Sequence, residues 1–168
     1  MEREARAAGR AEAEEPVDML YGLGMLLKDM GKYEEAEPLY RRALAGREAA
    51  LGAEHPDTLL SVTNLGILLR KRNDFASAEP LLRRAMQGCR SALGEVHQRS
   101  VYSTMALALL LAQTHRDAEA ALLYQSTDKL GPQDPDTLDD VRELASLLEG
   151  RGDEGAAQAA ALRRRFGV

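Results

Sequence analysis

Residues 58–94 read TLLSVTNLGILLRKRNDFASAEPLLRRAMQGCRSALG, and they contain two helical patterns in succession. Its first half has apolar or small residues at the i, i+3, i+4 and i+7 spacing of one helix face, at Val62, Leu65, Gly66 and Leu69. Its second half has another such stripe, at Phe75, Ala78, Leu82, Ala85, Met86, Cys89 and Leu93. Between the stripes, Asn73 suits the left-handed position that ends a helix, and Asp74 suits the next N-cap. So short a connection predicts two antiparallel helices.

The same pattern precedes this stretch at an offset of 42 residues. The matched pairs are Leu23 and Leu65, Gly24 and Gly66, Leu27 and Leu69, Tyr33 and Phe75, Ala36 and Ala78, Pro38 and Pro80, Ala43 and Ala85, Leu51 and Leu93, and His55 and His97. So many matches at one offset predict an internal repeat. A single helical pair cannot bury its apolar face alone, but stacked pairs can, so the sequence predicts an all-α solenoid.

The spacing of leucine, glycine and alanine in these pairs resembles the tetratricopeptide repeat. The 42-residue period resembles the kinesin-light-chain-like branch of that family, as do residues 33–44, YEEAEPLYRRAL, and residues 51–59, LGAEHPDTL. The resemblance covers roughly residues 17–165 and is strongest in the first two repeats. It implies a right-handed α-solenoid of antiparallel helix pairs whose first helices line a concave groove.

The repeat pattern predicts one array over residues 1–168. Residues 1–16 form a lead that is a frayed helix, a disordered segment or the remnant of a preceding second helix, since residues 8–10 echo residues 45–47. Repeat one spans residues 17–58 and repeat two residues 59–100. Repeat three, residues 101–137, is five residues short. A degenerate fourth repeat with its cap spans residues 138–168.

The later repeats carry weaker turn signals than the first two. We expect the second helix of repeat three to occupy residues 118–130, after a turn at residues 114–117 that lacks glycine. In repeat four we expect a turn over residues 150–155 and a last helix over residues 156–165. That helix ends in three arginines, which suit the negative end of the helix dipole. Pro38 and Pro80 predict a mild bend in the second helices of the first two repeats.

Composition excludes several classes of function. The chain has 168 residues, 45% of them hydrophobic, and a formal net charge of −5, which argues against non-specific nucleic-acid binding. The single cysteine excludes an intrachain disulfide and a cysteine-rich zinc site. No apolar run approaches the roughly 20 residues of a membrane span. A cytoplasmic location is the default expectation.

Histidine and cysteine are the residue types that could suggest catalysis or metal binding. His55 and His97 precede helix starts at equivalent repeat positions, so a capping role accounts for both. Cys89 lies on an apolar helix face, where cysteine is commonly a small hydrophobe. Neither they nor His115 show the clustered spacing of metal ligands. We therefore expect no enzyme, no catalytic residue, no metal and no cofactor.

The resemblance implies which side chains face the groove. Carried over by repeat position, they are Tyr21, Met25, Lys28, Thr63, Asn64, Ile67, Arg70, Lys71, Tyr102, Met105, Leu109, Gln113 and Arg142. Asn64 matches the family's groove asparagine, whose amide can both donate to and accept from a peptide backbone. The equivalent positions of the other repeats carry Gly22, Ala106 and Glu143.

Two functions follow from this groove and from the ends of the array. The first is a scaffold that binds a partner peptide, apolar with an acidic flank, because tyrosine and methionine supply apolar contact and the rim is basic. The second is a structural spacer or self-associating segment of a larger repeat protein, because an open solenoid end can stack on another copy.

Overall fold

The computed structural model describes residues 16–126 and 135–167, and these residues form helices joined by short turns. The helices are α1 (Val17–Asp29), α2 (Tyr33–Leu51), α3 (Pro56–Lys71), α4 (Phe75–Leu93), α5 (Gln98–Gln113), α6 (Asp117–Ser126), α7 (Pro135–Glu149) and α8 (Gly152–Phe166). The fold class is confirmed: an all-α solenoid of antiparallel helix pairs. The first helices α3, α5 and α7 begin 42 and then 37 residues apart, the spacing expected of a shortened third repeat.

Each helix from α1 to α5 packs on the next one, and the array changes its packing at the fourth pair. The first helices α3 and α5 also touch each other, while α7 packs against α5 and α8. The core runs along the middle of the array, and α3 and α5 bury twelve residues each. Repeats two and three therefore hold the array together, with α1 and α8 at its described ends.

The turns use the residues that the sequence assigned to them. Asn73 has a φ of 62°, and the Asp74 carboxylate accepts a hydrogen bond of 3.2 Å from the backbone N–H of Ser77. In the third repeat His115 takes the left-handed position instead, with a φ of 61°. The N-cap role of the other two histidines is confirmed: the Nδ1 atoms of His55 and His97 each accept a backbone hydrogen bond, of 3.2 and 3.1 Å.

Close contact between α3 and α4 depends on the missing side chain of Gly66. A Cβ placed there would lie 2.7 Å from Leu82 and 3.6 Å from the carbonyl oxygen of Ala78. Leu82 and Ala78 are both fully buried, so neither has free space to withdraw into. The small residues Gly66 and Ala78 therefore allow the two helices to cross closely.

The expected turn over residues 150–155 and last helix over residues 156–165 are wrong at their shared boundary. The turn consists of two residues, and α8 begins at Gly152. Gly155 is buried inside α8, where an added Cβ would collide with the carbonyl oxygen of Leu148. The sequence pattern predicted a turn residue at Gly155. In the structure, the missing side chain of Gly155 allows α8 to approach α7 closely.

Two expectations fall partly or wholly outside the described residues. Helix α6 begins at Asp117, one residue before the expected start, and residues 127–130 of its expected span lie outside the described part. The lead over residues 1–16 lies outside it except for Pro16, the N-cap of α1. Pro38 and Pro80 do lie inside α2 and α4, and the mild bend there stays a prediction.

Candidate functional site

One hydrogen-bonded cluster joins the first helices of repeats one, two and three. It consists of Tyr21 of α1, Asn64 of α3 and Tyr102 of α5. The Nδ2 atom of Asn64 donates to the hydroxyl of Tyr21 and, at 3.2 Å, to the carbonyl oxygen of Leu60. The hydroxyl of Tyr102 donates to the Oδ1 atom of Asn64 at 3.2 Å. Asn64 thus spends both its donor and its acceptor capacity on the protein, and it links the first three repeats.

A cation reinforces the α1 side of this cluster. The guanidinium of Arg47 lies 4.3 Å from the centre of the Tyr21 ring. Arg47 also donates to the Oγ atom of Ser61 at 2.8 Å and to Asp18 at 2.9 Å. Burial raises the pKa of the Tyr21 hydroxyl, although the charge of Arg47 acts in the opposite direction. Tyr21 is therefore a neutral phenol held in a fixed orientation.

A pocket of about 270 Å³ opens beside the cluster. Five expected groove residues line it, namely Tyr21, Met25, Lys28, Asn64 and Tyr102, so the structure brings these five together. Leu60, Gln98 and Arg99 also line it and were missed. Each of them lies three or four residues before an expected groove residue on the same helix, Asn64 or Tyr102. That helical spacing is the signal that could have found them.

The charge that lines this groove pocket is positive. Lys28 and Arg99 contribute cations, and the lining residues include no carboxylate. The ammonium of Lys28 pairs with Asp29 at 3.4 Å, and the guanidinium of Arg99 pairs with Asp57 at 2.8 Å. The side chains of Asp29 and Asp57 are 64% and 43% exposed, and ion pairs that are open to solvent in this way are worth little. A carboxylate arriving from a ligand could therefore replace either acid.

A second cluster occupies the rim that was expected to be free and basic. Arg70, with a side chain only 1% exposed, donates to the Oε1 atom of Glu143 at 2.9 Å. Lys71 pairs with the same carboxylate at 3.4 Å, and Gln113 donates to it at 3.3 Å. Burial acts to raise the pKa of Glu143, but the hydrogen bonds and charges of Arg70 and Lys71 outweigh it and lower that pKa.

This cluster corrects the assignment of Arg70 as an open groove residue. Glu143 comes from α7, so the ion pair joins repeat two to repeat four and neutralises the rim from within the chain. Glu143 stands at the repeat position of Asn64. Repeat position alone cannot show that Glu143 of repeat four reaches Arg70 of repeat two.

Burial also corrects four other assignments, in which side chains were expected to face an open groove. Thr63, Ile67, Met105 and Leu109 are all less than a tenth exposed, since α3 and α5 have neighbours on several sides. Arg142 is exposed, but it pairs with Asp139 at 2.6 Å and does not line the groove pocket.

His55 and His97 cap helices, and Cys89 is buried. Burial raises the pKa of the Cys89 thiol, which keeps it protonated and unreactive. Within residues 16–126 and 135–167, no group of three or more His, Cys, Asp or Glu side chains comes close enough to hold a metal ion. None of the helices in the same residues has the length and apolarity that crossing a bilayer requires.

Two family models, both described as tetratricopeptide repeat, match residues 16–91 and residues 63–135. Together they cover most of the chain. The chain belongs to the tetratricopeptide-repeat family. Repeats of this family make the chain a protein–protein interaction scaffold.

Solved structures of tetratricopeptide-repeat proteins share the fold. BtubC (BKLC) from P. vanneervenii superposes with a TM-score of 0.70 and 19% identity, covering 95% of this chain and 70% of that one. A Podosopora anserina putative kinesin light chain with nearly identical TPR-like repeats gives a TM-score of 0.67 and 21% identity, covering 95% and 83%. At these identities the likeness concerns the fold alone.

One curated relative shares part of the sequence. It is a nucleotide-binding leucine-rich repeat (NLR)-like protein of Hyaloscypha variabilis, 47% identical over 45 residues. The match covers 27% of this chain and 4% of the fungal protein. It is therefore a match over a short segment rather than between whole proteins.

Proposed function

We propose that this scaffold is a cytoplasmic adaptor that binds a peptide of a partner protein in the groove pocket, with a ligand carboxylate between Lys28 and Arg99. The observation that carries the proposal is the pocket's lining, in which two cations and two tyrosines surround a fixed asparagine without any carboxylate. The proposed ligand remains apolar with an acidic flank. Its acidic side chain would bind Lys28 and Arg99, because Arg70 and Lys71 already pair with Glu143.

The pocket suits side chains of a peptide better than a whole small molecule. Its volume of about 270 Å³ lies just below the roughly 300–1,000 Å³ of small-molecule sites. Met25, which is 39% exposed, offers adaptable apolar contact beside the two tyrosine rings. Since the cluster already satisfies the Asn64 amide, Asn64 acts here by holding Tyr21 and Tyr102 in place rather than by gripping a peptide backbone.

The experiment uses an array of synthetic peptides with one apolar core and three kinds of flank: Asp and Glu, Lys and Arg, or Ser. The full chain is compared with Lys28→Glu and with Arg142→Glu. The two variants make the same change of charge, but only position 28 lines the pocket. We expect binding to the acidic flank, loss of more than about 1 kcal/mol on Lys28→Glu, and no loss on Arg142→Glu.

Equal binding to all three flanks, or equal losses in both variants, would remove the basis for this site. Asn64→Ala adds a second arm, because releasing the two tyrosines should also weaken binding. Circular dichroism of each variant must show unchanged helicity, so that lost binding reports on the pocket.

The alternative function, a spacer or self-associating segment, is favoured by a different observation. Apolar side chains are exposed along one face of α1, away from the groove pocket.

A further inference from the structure

Helix α1 and its C-cap residue Met30 together expose a stripe of four large apolar side chains, Met19, Leu23, Leu26 and Met30, which we call the α1 stripe. Their exposed fractions are 69%, 48%, 56% and 59%. The four lie four, three and four residues apart, so they share one helix face and follow the spacing of a coiled-coil seam. Single exposed apolar residues are ordinary, but a continuous stripe marks an interaction surface.

In repeats two and three, neighbouring helices cover the positions that are equivalent to the α1 stripe. Forty-two residues on, the counterparts of Met19, Leu23 and Leu26 in α3 are Ser61, Leu65 and Leu68, which are at most 1% exposed. In α5 the counterparts, Ser103, Leu107 and Leu110, are fully buried. Both α3 and α5 pack against the second helix of the preceding repeat. Among the described residues no helix precedes α1, so its stripe is left without the cover that the array supplies elsewhere.

The stripe reads the same from both ends. In either direction its residue types are Met, Leu, Leu and Met, and its spacings are four, three and four. If two such helices pack antiparallel, Met19 of each copy lies against Met30 of the other, and Leu23 of each copy lies against Leu26 of the other. A contact of a surface with itself around a two-fold axis needs this self-complementarity. We propose that a second copy of this chain covers the α1 stripe, with the two α1 helices antiparallel.

Charges at the ends of the stripe agree with this arrangement. Asp18 lies beside one end with a side chain 91% exposed, and Lys32 lies just beyond the other end with a side chain 46% exposed. Within the chain Asp18 pairs with Arg47 at 2.9 Å and Lys32 with Glu35 at 3.2 Å, and both pairs are open enough to solvent to exchange partners. The antiparallel pairing would bring Asp18 of each copy close to Lys32 of the other. A parallel pairing would instead place the two Asp18 carboxylates together. Charge therefore favours the antiparallel orientation.

The proposed dimer leaves both groove pockets open. Tyr21, Met25 and Lys28 line the pocket. At about 100° of rotation per residue, the centre of their face lies almost opposite the centre of the α1 stripe. The dimer is thus independent of the proposed peptide site, and it would present two such sites on opposite-facing arrays.

Sedimentation of the full chain over a wide range of concentration tests the proposal. We compare the wild type with Leu23→Glu/Leu26→Glu, Leu23→Glu/Leu26→Lys and the control Leu122→Glu, at a leucine of α6 that is 66% exposed. The wild type and the control should dimerise alike. The variant with two glutamates should raise the dissociation constant at least about tenfold.

The Leu23→Glu/Leu26→Lys variant tests orientation. In the antiparallel pair its two new charges face opposite charges, so it should dimerise at least about tenfold more tightly than the variant with two glutamates. In a parallel pair like charges would face each other, and both variants would fail equally.

Three results would overturn the proposal. If the wild type stays monomeric at every concentration, the α1 stripe is covered by residues 1–15 or by another protein and not by a second copy. A dimer unaffected by Leu23→Glu/Leu26→Glu would use another surface. Equal dissociation constants for the two double variants would refute the antiparallel pairing. Since all three substituted positions are exposed, circular dichroism should show the wild-type helicity in every variant.

Discussion

Helices α1 and α3 carry the same repeat sequence pattern and have very different surroundings. Both contain the Leu-Gly-x-x-Leu pattern 42 residues apart. Helix α3 buries twelve of its sixteen residues, whereas α1 buries Leu20 and Gly24 among its thirteen. The repeat pattern makes both segments helices, but neighbouring helices decide how much of each is covered. Equivalent positions can therefore be tested against each other, because residue type and helix position are held nearly constant.

The largest difference is expected at the leucine of the shared pattern. Leu65→Ala removes a side chain that is 1% exposed, and we expect it to lower the free energy of unfolding by about 3 kcal/mol or more. Leu23→Ala, at the same repeat position with a side chain 48% exposed, should cost less than about 1 kcal/mol. Urea unfolding at low protein concentration measures both. Equal losses would mean that α1 is covered in solution as well as α3.

The next largest difference in stability is expected at the cation in the last turn of α1 and of α3. Arg70→Ala leaves Glu143 without its main partner, so we expect a loss of about 2–4 kcal/mol. That range lies below the loss for a fully buried pair, since the Glu143 side chain is 32% exposed. Lys28→Ala, at the same repeat position, breaks only an exposed pair with Asp29 and should cost about 1 kcal/mol or less.

The matching double variant separates the ion pair from mere packing. Arg70→Met/Glu143→Leu replaces both charges by apolar groups, so it should recover most of the stability lost in Arg70→Ala. A double variant as unstable as the single one would show that Arg70 contributes mainly through its packing. Urea unfolding is again the measurement.

Glycine positions should give a smaller and graded difference. Gly66→Ala forces a Cβ to 2.7 Å from buried Leu82, and we expect a loss of about 1 kcal/mol after the gain in helix propensity. Gly24→Ala, at the equivalent position, meets the Tyr40 ring at 3.3 Å and should be close to neutral. Gly22→Ala meets nothing within 4 Å and should raise stability by up to about 1 kcal/mol. Thermal unfolding should rank the three in this order.

The smallest effect is expected from acidification. The pKa of Glu143 is lowered in the folded state, so its stabilising contribution is present above the ordinary glutamate pKa of about 4.3. That contribution is lost as the pH falls through the lower, folded-state pKa. Comparing the pH dependence of unfolding in the wild type and in Glu143→Gln isolates it. The variant should show the shallower loss of stability below pH 4.3, and identical slopes would contradict the assignment.

Local features of the fold could be read from the sequence because short-range interactions set them. The left-handed Asn73, the cap at Asp74 and the histidine caps each depend on residues within a few positions along the chain. The narrow crossing at Gly66 was also visible, because the repeat placed a small residue there twice. Gly155 was misread, since a glycine that serves a turn and one that serves a close helix contact look alike in sequence.

Only part of the candidate site could be predicted from the sequence, because the sequence pattern shows local spacing and not contacts between distant residues. Repeat position placed Tyr21, Met25, Lys28, Asn64 and Tyr102 on one surface, and they share the groove pocket. It could not show that Glu143, 73 residues after Arg70, would neutralise the other half of the rim. Position within a repeat gives the direction in which a side chain points, but not what stands opposite to it.

Local spacing and a repeating pattern in the sequence were enough to predict the fold class, the helix pairs, the turns of the first three repeats and the family, but not the turn of the fourth repeat. The tertiary structure decided which equivalent residues are buried, which cations stay available in the groove pocket and which apolar face of α1 is left uncovered. Those outcomes depend on the number and identity of the neighbours of each helix. Neighbours differ between the end and the middle of an array even where the repeat pattern does not.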